Sequence, residues 1–117
     1  MIVSLLVLAG GAVGAVFRYI IDGYVKATAG KSFPWGTLTV NVLGSALLGA
    51  FHGAGTGTNL EALLGTGLCG ALTTFSTFEL DTVHLIQDGE YGRAAINALG
   101  GLLLGAAAFV AFYQLLH

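Results

Sequence analysis

Charge is what this chain most lacks. Only 9% of its 117 residues are Asp, Glu, Lys or Arg, against about a quarter in soluble domains, so the chain cannot clothe its surface for water. Four basic residues and a net charge of −2 exclude the dense positive surface that a nucleic-acid partner requires. Cysteine is nearly missing: Cys69 stands alone, which excludes an internal disulfide framework. Inside an apolar run it reads as a small packing residue. His52, His84 and His117 are scattered without metal-ligand spacing. What the chain does have is 56% hydrophobic residues and 19 glycines, far above the usual glycine share of about 7%. In apolar helices that density signals backbones packed closely together.

A membrane-spanning helix needs about 20 mostly apolar residues, and four stretches qualify: 2–21, 36–52, 60–86 and 94–116. The expected fold is therefore an all-α membrane protein, with residues 1–117 forming one four-helix domain. The connections read as a Lys26/Lys31 loop ending in "SFPWG", a "GAGTGTN" turn, and the acidic "ELDTVHLIQDGEYGR". Asn59 is a natural N-cap for the third span, and Phe33 and Trp35 flank Pro34 where interfacial aromatics sit. The leading "MIVSLL" has no basic residue, and Arg18 lies on the far side of the first span. That is the wrong polarity for a cleaved signal. Gly10/Gly14, Ser45/Gly49 and Gly101/Gly105 are each four apart, placing small residues on one helix face. Four short helices enclose little space, so a homo-oligomer is expected.

The third span carries the chemistry. Its "GLCGALTTFSTFEL", residues 67–80, packs Thr73, Thr74, Ser76 and Thr77 into five positions beside Phe75, Phe78 and Gly70. One or two hydroxyls would bond back to carbonyls a turn earlier and leave the helix intact. Four of them next to a glycine predict a break near 70–75. A broken membrane helix is tolerated only where protein or a polar cavity receives the exposed backbone. It also has two poles: carbonyls near Gly70–Thr73 that suit a cation, and amides and hydroxyls near Thr74–Thr77 that suit an anion. Phe75 and Phe78 are three apart and share a face, where the positive ring edges can meet an anion or simply pack.

Asn41, in mid-span, has two readings: an amide bonded to a neighbouring helix, worth about 0.6 kcal/mol, or a donor pair offered to an anion. Thr37 and Thr39 extend that polar line. Arg18, three residues before the expected end of the first span, can snorkel to the interface and raise the local anion concentration at a pore mouth. Glu79, Asp81, Asp88 and Glu90 read as a solvated loop or helix end, with Glu79 alone close enough to the break for a vestibule. "GTGLCG" at 65–70 matches the dinucleotide pattern G-x-G-x-x-G, with Glu90 following. That motif works only between a strand and a helix, and here it is a product of glycine abundance.

Three blocks, "GGAVGAVFRY" at 10–19, "GTLTVNVLG" at 36–44 and "GLCGALTTFSTF" at 67–78, make the chain resemble the Fluc (CrcB) fluoride channels over essentially its whole length. The resemblance implies an antiparallel, dual-topology dimer of four-helix subunits with two fluoride pathways in a cytoplasmic membrane. By motif position, Phe75 and Phe78 are the ring-edge contacts, Asn41 the amide donor, and Ser76 and Thr77 the hydroxyl track. A central structural sodium is implied at the backbone carbonyls of Gly70 and Thr73 from both subunits. No covalent chemistry is implied, only passive export of fluoride that entered as the neutral acid. Two features depart from the pattern. The last helix offers Asn97 and then glycine and alanine where relatives bring hydroxyls. Lys26, Lys31 and Arg93 all fall on one side, which favours a single orientation. A heterodimer with an oppositely biased paralogue therefore stands beside the homodimer. Two other classes remain as rivals: a small proton-coupled multidrug exporter, which needs a carboxylate deep in the first helix, and a non-transporting packing subunit of a larger membrane complex.

Overall fold

A computed structural model describes residues 1–30 and 32–117; Lys31, part of the basic count above, lies outside them. The described residues form helices and connecting turns without a strand. We label α1 Ile2–Ala29, α2 Trp35–Ala54, α4 Phe75–Gln87 and α5 Tyr91–Leu116. Between α2 and α4 lies α3, residues 58–72, whose middle, Glu61–Cys69, is a π-helix flanked by the short α-helical turns Thr58–Leu60 and Gly70–Leu72. Among the described residues three helices, α1, α2 and α5, are long and apolar enough to cross a membrane. Their flanks carry many exposed large apolar residues, among them Leu8, Val16, Leu99 and Leu103. In water such a surface would drive association, whereas lipid solvates it.

The helices run past the apolar boundaries that hydrophobicity marks. The first span was expected to end at residue 21, but α1 continues to Ala29. Lys26 is thus in its last turn rather than in a loop, held by an i,i+4 ion pair to Asp22 at 2.9 Å. Gly30, at φ 84°, then ends the helix. The extension moves Arg18 from near the end of the helix to eleven residues inside it, about 16 Å from the terminus at 1.5 Å per residue. The apolar stretch itself still ends at residue 21, so Arg18 keeps its place three residues from that boundary while the helix continues through polar residues. Asn59 is not a cap: it lies inside the first turn of α3, whose N-cap is Gly57 at φ 87°, because the glycine redirects the chain before the asparagine is reached. The acidic connection shrinks to residues 88–90, since α4 carries Glu79 and Asp81 on a regular helix. Leu85 is its buried apolar anchor, and Gly89 at φ 77° makes the turn into α5.

Close backbone approach organises the bundle. A methyl group on Gly10 or Gly14 would strike the carbonyls of Leu63 or Leu68, so α1 lies directly against the π-helical stretch. On the other side of α2, Gly49 and Gly53 face the backbone of Phe109 and Tyr113 on α5. Without water to drive helices together, such van der Waals contact carries the packing. The extents, 46 × 28 × 23 Å, are long enough to cover the roughly 30 Å hydrocarbon layer. Along the chain α1 and α2 alternate in direction, as do the α3–α4 pair and α5. Lys26 and Arg93 therefore share one end, where Arg93 Nη1 donates to Ser32 O at 3.1 Å.

Candidate functional site

The helix is interrupted at two residues. Thr73 (φ −79°, ψ 158°) and Thr74 (φ −146°, ψ 121°) are extended, separating α3 from α4 inside the expected window. In a continuous helix the Thr74 amide would return to Gly70 O. Here it donates to Asn41 Oδ1 at 2.7 Å, while Asn41 Nδ2 donates to Thr74 O at 3.0 Å. One side chain on α2 thus satisfies both backbone groups of an unwound residue that is itself buried. This resolves the first reading of Asn41: it bonds a neighbour, and that neighbour is the break. A second amide hydrogen remains on Nδ2. Gly44, a turn further along α2, makes room for Thr73, whose methyl a Cβ there would strike.

Each limb ends in its own way. Thr73 turns its hydroxyl and its amide back to Cys69 O, both at 3.0 Å, so the back-bonding expected of an intact helix survives at this one threonine. Among the described residues the carbonyls of Gly70 and Thr73 receive no hydrogen bond, and Gly70 is exposed with open space beside it. At the start of α4, Thr74 Oγ1 caps the helix by accepting from Thr77 N at 3.3 Å, and it donates to Thr77 Oγ1 at 3.1 Å. The amides of Phe75 and Ser76 take no acceptor among the described residues. Carbonyl oxygens at one limb and amide hydrogens at the other lie two residues apart, which gives the break its two poles.

The expected site residues divide between two cavities. An open groove of about 670 Å³ is lined by Asn41, Gly70, Thr73, Thr74, Phe75 and Phe78, and it continues along α2 and α5. The two rings share the first turn of α4, with centroids 5.8 Å apart and planes at 41°. Phe75 is 64% exposed on the groove, whereas Phe78 is 8% exposed and seated against Gly101 of α5. A second cavity of about 380 Å³ lies between α1, α2 and α4, lined by Arg18, Asp22, Thr37, Thr74 and Thr77. Arg18 makes no ion pair among the described residues. Thr77 therefore belongs with Arg18 and not with the rings, and Ser76 lines neither cavity. Glu79 is exposed and lines neither.

Two polar pairs escaped the sequence reading. Thr37 Oγ1 donates to Asp81 Oδ2 at 2.8 Å, tying α2 to α4. Asn97 Nδ2 donates to Thr82 Oγ1 at 2.8 Å, and that hydroxyl in turn donates to Phe78 O at 2.9 Å. The spacing of Thr74, Thr77 and Asp81 (i, i+3, i+7) was the available signal for the first, since it places all three on one helical face.

Comparison with known proteins agrees with this architecture. Residues 5–113 match the family described as CrcB-like protein, Camphor Resistance (CrcB). A protein of Shewanella sp. (strain ANA-3) named "Fluoride-specific ion channel FluC" is 50% identical over 104 residues, 86% of this chain and 84% of that protein. "Fluoride-specific ion channel FluC 1" of Nocardia farcinica (strain IFM 10152) is 50% identical over 105 residues, covering 90% and 71%. The relatives are named as channels rather than enzymes, and the family match joins the three apolar helices in describing a multi-pass integral membrane protein. With its matched span covering nearly the whole chain, this protein belongs to the CrcB family.

Proposed function

We propose that the protein is a fluoride-selective channel that lets the anion leave the cell passively, along the groove beside the break. The single observation that carries this reading is the unwound Thr73–Thr74 segment. It is clasped by Asn41 and borders a groove on which Phe75 and Phe78 present their rings. Fluoride is small and strongly hydrated, so a dry path must replace its water with donors. The second hydrogen of Asn41, the Phe75 amide, which has no acceptor among the described residues, and the positive ring edges of Phe75 and Phe78 are such groups. Thr77 and Arg18 serve the second cavity, where the guanidinium attracts anions toward the break. The names of the relatives support fluoride as the cargo.

In this proposal α3 and α4 together make a fourth crossing, and the functional unit is an antiparallel dual-topology dimer in lipid. The open groove supports a partner, because one face of it has no protein wall. The oxygens of Gly70 and Thr73 fit a structural sodium ion in chemistry: they are carbonyls, free of hydrogen bonds, at a helix C-terminus. Hard cations take several oxygen ligands, and two carbonyls are half a site that a second copy would complete. That ion would supply fixed positive charge between the two pathways. The bias of Lys26 and Arg93 to one end keeps a heterodimer with an oppositely oriented paralogue as the second assembly. The exporter alternative finds one carboxylate in α1, Asp22, but it is ion-paired to Lys26. The packing-subunit alternative has no use for a clasped break.

The test is fluoride efflux from vesicles holding the purified chain alone, compared with Phe75→Ile and Phe78→Ile. Both variants are expected to assemble normally and to conduct fluoride far more slowly. Full flux in both variants would remove the rings from the path.

A further inference from the structure

We propose that Ser45 supplies the hydroxyl of the anion path that α5 cannot, an inference that rests on the groove being that path. The α5 wall of the groove is formed by Gly101, Leu102, Gly105 and Ala106, none with a polar side chain. Asn97, the polar residue nearest to it in sequence on that helix, is 1% exposed and turned toward Thr82. The wall is therefore without a donor, but it is hollowed by its glycines. A Cβ on Gly105 would lie 3.3 Å from Ser45 Oγ, so the hydroxyl from α2 stands over the place where an α5 side chain would begin.

Ser45 follows Asn41 by one helical turn and lines the same groove, about 6 Å further along the axis at 1.5 Å per residue. Between Asn41 and His52 the α2 wall is Gly44, Ser45 and Leu48, so Ser45 is the one hydroxyl on that stretch. Its hydroxyl is also free. Serine and threonine in membrane helices commonly return the proton to a carbonyl three or four residues back, and Thr28, Thr39, Thr73 and Thr82 all do so here. Ser45 Oγ makes no hydrogen bond among the described residues. Nor is it sealed in the core, because Ser45 is half-buried on the groove. An unused donor on the groove, one turn from an amide, is what an anion stripped of water needs next. Ser45 was read from the sequence as half of a packing pair with Gly49. The structure keeps that packing and adds to it: Ser45 meets Gly105 and Gly49 meets Phe109 on α5, and Ser45 also opens to the groove.

The experiment is fluoride-electrode efflux from potassium-fluoride-loaded vesicles with wild type, Ser45→Ala, Ser45→Thr, and Ser45→Ala combined with Gly105→Ser. Assembly of each is checked by size-exclusion chromatography. Ser45→Ala is expected to slow fluoride about tenfold, the rate equivalent of one lost hydrogen bond, with an unchanged elution volume. Ser45→Thr keeps the donor and retains the flux. The double variant moves the hydroxyl from α2 to α5 across the same contact and restores it. Wild-type flux in Ser45→Ala overturns the proposal and leaves the channel reading standing. A loss that neither Ser45→Thr nor the double variant restores assigns Ser45 to packing and overturns it as well. A wild type that moves no fluoride overturns this proposal together with the channel reading, so the wild-type lane tells the two failures apart.

Discussion

Asn41→Ala is the sharpest perturbation of the break. Asn41 holds Thr74 by two hydrogen bonds, 2.7 and 3.0 Å long. At about 0.5–1.5 kcal/mol net for each, the clasp favours the unwound form by about 1–3 kcal/mol. Its loss does not strand the Thr74 amide, because Gly70 O lies one helical turn earlier and can take it. Rewinding joins residues 58–87 into one rod and lets the Phe75 and Ser76 amides pair as well. A bias of that size lowers the ratio of unwound to rewound chain about 5- to 150-fold. Two readouts follow. Fluoride efflux in Asn41→Ala should fall, by at most that factor, and hydrogen exchange at the Phe75 and Ser76 amides should slow as they enter the ladder. Asn41→Asp keeps an acceptor for Thr74 N–H and should leave those exchange rates nearer wild type. If Asn41→Ala shows unchanged flux and unchanged exchange at both amides, the clasp is not what keeps the span open.

Other outcomes follow from single contacts. Gly14→Val pushes side-chain atoms into Leu68 O and should cost about 1–3 kcal/mol by overpacking, read as a lower melting midpoint in detergent. Gly101→Ala places a methyl 2.8 Å from Phe78 Cε1; the ring must shift, so fluoride flux should fall while the fold persists by circular dichroism. A double-mutant cycle of Thr37→Val and Asp81→Ala in detergent denaturation should give a coupling of about 1–2 kcal/mol, since the 2.8 Å bond joins two helices and each single change removes it. Strict additivity there would mean the bond contributes nothing.

The break was legible because it is written locally: four hydroxyls in five residues beside Gly70 oppose helix wherever they are placed. The pairing of Phe75 with Phe78 followed from their spacing alone. The rest depends on contacts far apart in sequence. Nothing within residues 58–72 says that Glu61–Cys69 widens to a π-helix. The approach of Gly10 and Gly14 to the Leu63 and Leu68 backbones is visible only in the assembled bundle. The partner of Asn41 is 33 residues away, and that of Thr37 is 44 away. Hydrophobicity found the apolar length of each span but not the helix, because the Asp22–Lys26 pair carries α1 onward through polar residues. The resemblance places Ser76 and Thr77 on a hydroxyl track beside the rings by motif position, whereas in the structure Thr77 lines the second cavity and Ser76 neither. Residues one or two apart on a helix do not share a face, and Thr77, one residue from Phe78 and two from Phe75, opens to the cavity on the α1 side.

The most direct measurement compares fluoride with chloride efflux from vesicles that contain this purified polypeptide and no other. A path built from one clasped break, two ring edges and a few amide and hydroxyl donors should pass fluoride and hold back the larger chloride. Equal rates for the two anions, or no flux of either, would contradict it.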